Sequence, residues 1–149
     1  MPRVITRLRW AERSINPWPR IRYTGAKAKG VTFEKKVAKG LNFAEHNAWF
    51  VFEDMYGLGY CSPDIFWQED GKIYLVECKL TDNKEAWQQI ELLYTPILQF
   101  IYQMPIRGIV VAKQLHSGSL WICDTLTNAK QSPFPRPVLH WLGKGKFPL

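Results

Sequence analysis

The sequence lacks the long apolar runs and paired cysteines that mark membrane and secreted proteins. No apolar run approaches about 18 residues, the length at which a helix can cross a bilayer. Its three cysteines, Cys61, Cys78 and Cys123, are not spaced as in zinc sites and are too few for a four-cysteine iron–sulfur cluster. We therefore expect a cytoplasmic protein with buried thiols and no membrane partner.

Acidic residues are scarce in the first part of the chain. Residues 1–40 carry eleven lysines and arginines against two glutamates, whereas the remainder carries nine basic and eleven acidic side chains. The net charge of +7 therefore originates entirely in the N-terminal part. This asymmetry favours a polyanionic partner, because lysine and arginine neutralise phosphates and release counterions. An acidic protein bound by the same segment is the alternative.

Hydrophobic residues make up 46% of the sequence, with seven tryptophans and eight phenylalanines, which predicts one folded domain with a substantial core. We divide this single domain into a basic arm at 1–30, a core at 31–124 and a proline-rich C-terminal extension at 125–149. Prolines and glycines predict an irregular arm. Trp10 and Trp18 lie between arginines there, a pattern that suits either stacking on unpaired bases or covering a sheet edge.

A strand predicted at Lys72–Leu80 carries two charges on an otherwise apolar face. Alternation places Ile73, Leu75, Glu77 and Lys79 on one side of this strand. Because charged groups on a buried face cost desolvation free energy, such a pair needs a partner or a function.

An Asp-Gly turn connects that strand to an apolar segment beginning at Asp64. Asp70-Gly71 between two β-prone runs predicts a hairpin, which brings Asp64 toward Glu77 on the neighbouring strand. Two carboxylates and Lys79 at one end of a hairpin predict a Mg²⁺ site, with Mn²⁺ as the alternative ion, beside a group that handles protons or stabilises charge.

These residues resemble the pattern of the PD-(D/E)xK nuclease superfamily. Pro63-Asp64 and Glu77-Cys78-Lys79 match its two motifs with twelve residues between them, and the resemblance covers roughly Gly30 to Asp124. It implies an α/β fold with a restriction-endonuclease-like core. The mixed central sheet of that core follows the order helix, strand, strand, strand, helix, strand, plus one further strand here.

The first predicted helix runs from a Thr32 N-cap to about Leu41 and places Glu34 on the same stripe as Val37. A glutamate that faces the core needs a partner, and the resemblance implies that Glu34 joins the metal site. A first-turn glutamate favoured by the helix dipole is the alternative. The full set of metal ligands implied is Asp64, Glu77, the backbone carbonyl of Cys78, and Glu34.

The second predicted helix, Lys84–Gln103 with a kink at Pro96, carries Gln89 at the edge of its apolar stripe. Members of the superfamily often have a glutamine followed by a tyrosine on this helix, orienting a water or a metal ligand. Gln89 and Tyr94 are the nearest match, with one residue more between them than usual. A polar residue at a helix edge is the alternative.

The remaining strands are predicted at His46–Glu53, Gly108–Lys113 and Ser119–Asp124, with a turn around Gly57 and Gly59. His46 is left as an ordinary surface or core residue. The side chains expected to contact nucleic acid are Arg9, Arg13, Arg20, Arg22, Lys27, Lys29, Lys35 and Lys36.

The resemblance implies a metal-dependent nuclease that hydrolyses phosphodiester bonds in DNA, with Glu34, Asp64, Glu77, Lys79 and Gln89 as catalytic residues. The short chain favours a stand-alone endonuclease on branched or structured DNA, of the kind that phages encode. A homodimer would suit a junction substrate, since two sites must cut two strands. The alternatives are an end-processing exonuclease, an RNA-directed nuclease, and a catalytically silent binder of the same fold.

Overall fold

Two β-sheets and a set of helices make up the computed structural model, which describes residues 3–18, 24–41, 43–80, 84–113 and 120–124. The architecture is mixed α/β. Its elements in chain order are β1 Trp10–Ser14, α1 Gly25–Gly40, β2 Glu45–His46, β3 Trp49–Asp54, β4 Gly57–Cys61, β5 Ile65–Glu69, β6 Lys72–Lys79, α2 Lys84–Gln88, a π-helical segment Gln89–Tyr94, α3 Thr95–Tyr102, β7 Ile106–Lys113 and β8 Leu120–Asp124.

The larger sheet has five strands in the order β2-β5-β6-β7-β8. Strands β6 and β7 are parallel and the other neighbours are antiparallel, so the sheet is mixed. A parallel pair needs a crossover, and the helical run from α2 to α3 supplies it. No helix within the described ranges is long and apolar enough to cross a membrane.

Strand β6 lies in the middle of this sheet and is covered on both faces. Ile73 and Leu75 pack into one apolar cluster with Ile90 and Ile97 of the helical run. Val76 belongs to a second cluster, on the α1 side. The alternation predicted for this strand is therefore confirmed.

The predicted Asp-Gly hairpin is also confirmed. Strands β5 and β6 are antiparallel, and both turn residues have positive φ, 52° at Asp70 and 72° at Gly71. A two-residue turn of this kind matches the right-handed twist of the strands. Pairing of Ile65 with Val76 sets the register, so that Asp64 lies opposite Glu77.

Helix α1 begins at Gly25, so the prediction of an N-cap at Thr32 was wrong. Thr32 lies inside the helix, where its hydroxyl donates to the carbonyl of Ala28 at 2.9 Å. This bond satisfies the hydroxyl within the helix, and helical structure continues across it. The predicted stripe is correct, because Val37 and Leu41 are buried and Glu34 lies on the same side.

A second sheet, β1-β3-β4, was not predicted. The arm expected to be irregular contains β1, which pairs antiparallel with β3 and packs Ala11 into the core. The predicted strand at His46–Glu53 is two strands in different sheets, separated at Asn47, where φ is 63°. Strand β2 therefore belongs to the larger sheet, and β3 belongs to the smaller one.

The turn expected around Gly59 is strand β4. Gly59 is a packing glycine here, because a Cβ at this position would lie 2.4 Å from the ring of Phe52, a residue of the core. The glycine therefore belongs to a strand and not to a turn. Cys61, the other inward residue of this strand, is buried. Burial raises the pKa of the Cys61 thiol to about 12, which makes it unreactive.

The irregularity predicted at Pro96 takes the form of the π-helical segment that precedes α3. Proline has no N–H, so the carbonyl of Leu92 loses its usual α-helical donor. The N–H of Ile5 donates to that carbonyl at 2.8 Å. The N-terminal segment therefore completes the hydrogen bonding of the helical run.

Asp54 at the end of β3 binds the same segment to the small sheet. Its carboxylate, 1% exposed, accepts hydrogen bonds from the backbone of Thr6 at 3.1 Å and Tyr56 at 2.9 Å, and from Arg3 at 2.7 Å. Burial alone would raise the pKa of this carboxyl, but these donors outweigh burial and hold the pKa below its ordinary value.

Replacing Asp54 by alanine is expected to lower the free energy of unfolding by about 3 kcal/mol, because two backbone N–H groups and Arg3 lose their buried acceptor. Urea denaturation at neutral pH measures the loss. The neighbouring Glu53→Ala is the control, since its 3.7 Å pair with Arg9 is solvent-exposed and contributes about 0.5 kcal/mol or less. Equal effects of the two variants would contradict the assignment.

Gly59→Ala is expected to cost about 1–3 kcal/mol, because the added methyl group forces the buried Phe52 ring to move. Gly30→Ala, inside α1 with no atom within 4 Å of its Cβ, should instead raise stability by up to about 1 kcal/mol. Thermal unfolding of both variants tests the difference in sign.

Candidate active site

Three carboxylates from three different elements converge at one end of the larger sheet. Glu34 comes from α1, Asp64 directly precedes β5, and Glu77 lies on β6. Burial, and then the charge of Asp64, raise the pKa of both glutamates, and Glu77 is hydrogen-bonded to Asp64. The cluster is therefore a product of the hairpin register and of the packing of α1 against β6.

The backbone of β6 fixes Asp64 in place. The N–H of Cys78 donates to Oδ2 of Asp64 at 2.7 Å. In an extended strand the N–H and C=O of one residue point to the same side, so the Cys78 carbonyl is directed toward the same carboxylate. Two of the predicted metal ligands, the Asp64 side chain and this carbonyl, thus lie next to each other.

Glu77 is the most buried member of the cluster, with 2% of its surface exposed. Burial, followed by the charge of Asp64 and a hydrogen bond with it, raises the pKa of Glu77 well above its ordinary value. Its Oε2 atom has no hydrogen-bond partner among the described residues. Buried carboxylate oxygens are normally satisfied, so this atom indicates a place where a proton or a cation binds.

Glu34 has a partner that the sequence did not indicate. Nε2 of His46, on edge strand β2, lies 3.0 Å from Oε1 of Glu34. Burial and the charge of Asp64 raise the pKa of Glu34, while His46 opposes that shift. The two residues come from separate elements twelve positions apart, and His46 has no motif around it, so no sequence signal was available.

Lys79 lies two residues beyond Glu77 on the same face of β6, partly exposed. The pKa of both Glu34 and Glu77 is raised overall, and the positive charge of Lys79 opposes that rise. The ammonium group therefore interacts electrostatically with the cluster. Among the described residues it has no carboxylate within 4.0 Å. Lys79 therefore lies beside the carboxylates and forms no ion pair with any described residue.

Gln89 and Tyr94 form the first and last residues of the π-helical segment. In π-helical geometry hydrogen bonds join residues five apart, so the two residues lie one turn apart despite the extra residue between them. Tyr94 is buried, and its hydroxyl donates to the carbonyl of Ser62 at 3.4 Å. Burial, then the charges of Glu77 and Asp64, raise the pKa of Tyr94, which locates it near the cluster.

The Gln89 side chain is only partly buried, but its Oε1 atom is buried and has no partner within the described ranges. In the described part of the chain, no hydrogen bond joins it to the three carboxylates. Its predicted role as a water-orienting group therefore remains a prediction, and the unpartnered oxygen is the feature that suits it.

A cleft of about 780 Å³ opens beside Glu34 and Asp64. One wall is the end of β1 with the segment that follows it, and the other is α1. Two of the predicted nucleic-acid contacts, Arg13 and Lys35, line this cleft. Half-buried acidic groups and exposed basic and aromatic groups thus meet in one concave surface.

The basic residues predicted to contact nucleic acid differ in their surroundings. Arg13 forms a 2.6 Å ion pair with Glu45, and hydrogen bonding to that glutamate raises the pKa of Arg13. Arg20 and Arg22 lie outside the described residues. The lysines predicted to bind nucleic acid, Lys27, Lys29, Lys35 and Lys36, are all exposed on α1.

Whether a divalent cation fits this site depends on its donor atoms. As they stand, no three His, Cys, Asp or Glu side chains in the described part of the chain are grouped to hold a metal ion. Mg²⁺, however, keeps several water ligands and needs only one or two carboxylates. The unpartnered Oε2 of Glu77 beside Asp64 meets that requirement.

Glu77→Gln is expected to stabilise the metal-free protein by about 1–2 kcal/mol at pH 8, because it removes a buried charge next to Asp64. Folding raises the pKa of Glu77 above its value in the unfolded chain, which is about 4.3. The contribution of Glu77 to the free energy of unfolding is therefore fully present below that unfolded pKa and is lost as the pH rises through the folded-state pKa. The gain should therefore shrink as the pH falls.

Urea denaturation in EDTA across this pH range measures the effect, with Glu85→Gln on the exposed side of α2 as the control. The predicted Mg²⁺ site implies that adding Mg²⁺ raises the stability of the natural protein and not of Glu77→Gln, since a ligand that binds only the folded state stabilises it. A variant that is less stable at every pH would contradict the electrostatic account.

The chain matches no protein-family model, and no curated protein matches it.

Proposed function

We propose that this protein is a Mg²⁺- or Mn²⁺-dependent nuclease that hydrolyses phosphodiester bonds in DNA. The observation that carries the proposal is the meeting of Asp64, Glu77 and Lys79 at the end of one hairpin, with the buried Glu77 oxygen unpartnered. Carboxylate pairs that accept a hard cation beside an ammonium group suit the hydrolysis of a negatively charged phosphodiester.

The larger sheet supports membership of the PD-(D/E)xK superfamily. Counting only the elements of that sheet and its flanking helices, the order is α1, β2, β5, β6, helical run, β7, β8. This order agrees with the one expected for a restriction-endonuclease-like core with one further strand, which supports the proposal. The motif residues Asp64, Glu77 and Lys79 lie on β6 and immediately before β5, where that core carries its site.

The metal ligands in this proposal are Asp64, Glu77, the Cys78 carbonyl and Glu34. When bound, the ion lowers the pKa of a water molecule and neutralises charge on the phosphate. Asp64 enters this role already oriented, since the N–H of Cys78 donates to one of its oxygens. His46 contacts Glu34, which lines the cleft.

Lys79 supplies the positive charge that faces the reacting phosphate. Its ammonium group donates hydrogen bonds to oxygens on which negative charge develops, an effect on the order of 3 kcal/mol for one such donor. Gln89 accepts a hydrogen bond from the attacking water through its unpartnered amide oxygen. The expected substrate is branched or otherwise structured DNA cut internally.

Lys79→Ala should lower the rate of DNA cleavage by about 10²–10³-fold with the fold retained, and Asp64→Asn should abolish cleavage. The matched control is Lys72→Ala, an exposed lysine at the other end of the same strand. The assay uses labelled linear duplex, single strand, flap and four-way junction with Mg²⁺, Mn²⁺ or EDTA.

Cleavage that survives in Asp64→Asn would overturn the site assignment. Salt-sensitive binding of DNA without cutting under any condition would instead identify a catalytically silent nucleic-acid binder. If the protein neither cuts nor binds any of these DNAs, DNA is excluded as its substrate class.

A further inference from the structure

We infer that the cleft beside the carboxylates contains a stacking site for an unpaired base, with Trp18 as its platform. The inference rests on the proposed nuclease function and names its substrate class, DNA with unpaired nucleotides next to the cut phosphate. The base-binding site itself can be tested without any cleavage.

Trp18 lies in the cleft that Glu34 and Asp64 also line. Its side chain is 57% exposed although it is the largest apolar residue type, so the core does not account for it. A nucleotide whose phosphate lies at the carboxylates therefore has an aromatic surface available within the same concavity. Aromatic side chains in such grooves bind single strands by stacking on successive bases.

The local chain holds the indole in position. The backbone N–H of Trp18 donates to the side chain of Asn16 at 2.9 Å, closing a turn in which Pro17 fixes one backbone angle. The ring meets Tyr60 of β4 edge to face, with centroids 6.3 Å apart and an angle of 71°. Trp18 stays 57% exposed beside this contact, so part of the indole is open to a base.

The charges around the cleft also favour an unpaired strand. Arg13 in its wall is already bound to Glu45 at 2.6 Å, so it offers less to a phosphate than its position suggests. Among the described residues of α1, Lys35 is the exposed lysine that lines the cleft, which Trp18 also lines. A single strand offers both phosphates and base faces, so it suits a surface that combines a cation with an aromatic ring. Bases inside a duplex present only their edges.

Trp10 provides an internal comparison. It lies on β1 at a position paired with Glu53, is 39% exposed, and does not line the cleft. Both indoles come from the same basic segment and carry the same ring. The structure therefore separates two tryptophans that the sequence could not distinguish, and assigns base stacking to Trp18.

The test measures binding in EDTA, where no cutting occurs, to a duplex with a single-stranded extension that contains one 2-aminopurine at its first unpaired position. Trp18→Ala should weaken binding by about tenfold or more and abolish the quenching of 2-aminopurine fluorescence. Trp18→Phe should retain most of both signals, because the ring is kept. Trp10→Ala should bind as the natural protein does.

Binding of a blunt duplex of the same length should be unchanged in Trp18→Ala. Equal affinity of the natural protein and Trp18→Ala for the extended duplex would overturn the inference, as would an equal loss in Trp10→Ala. Cleavage with Mg²⁺ is then measured separately. Trp18-dependent binding without cleavage would keep the stacking site and reject the nuclease, whereas Trp18-independent cleavage of every substrate would keep the nuclease and reject the stacking site.

Discussion

The register of the β5–β6 hairpin is the constraint on which the candidate site depends. Two residues with positive φ, Asp70 and Gly71, close the turn and fix which residues face each other. A slip of one residue would move Glu77 and Lys79 to the opposite face of β6 and separate them from Asp64. The apolar residues resist that slip, because Leu75 and Val76 are buried in different clusters on opposite faces.

The position of the carboxylates explains why this register must be held so firmly. Glu77 lies on the central part of the sheet, where burial opposes its ionisation and Asp64 adds repulsion. Such an arrangement opposes folding of the metal-free protein, and the two apolar clusters on either side of β6 offset it. The contrast with Asp54 is instructive: that buried carboxylate has three donors and a lowered pKa, and it stabilises the fold.

Features encoded within one element or one tight turn could be predicted from the sequence. The Asp-Gly hairpin, the two faces of β6 and the inward stripe of α1 each follow from local periodicity or turn chemistry. The contact between Glu34 and His46 could not be predicted, since it depends on how α1 packs against an edge strand. The turn predicted at Gly59 was wrong, because the sequence does not distinguish a glycine required by packing against the Phe52 ring from a glycine required by a turn.

The N-terminal segment was the largest error of the sequence interpretation, and its structure changes the meaning of the charge asymmetry. The sequence predicts an arm attached to a core, yet Arg3 and Thr6 bind Asp54, and Ile5 donates to the Leu92 carbonyl that Pro96 leaves free. These bonds join it to both the small sheet and the helical run. Because it is fixed at both places, the chain beyond β1 forms a wall of the cleft next to the carboxylates. Arg13 and Trp18 of this segment are therefore part of the surface that faces the candidate site.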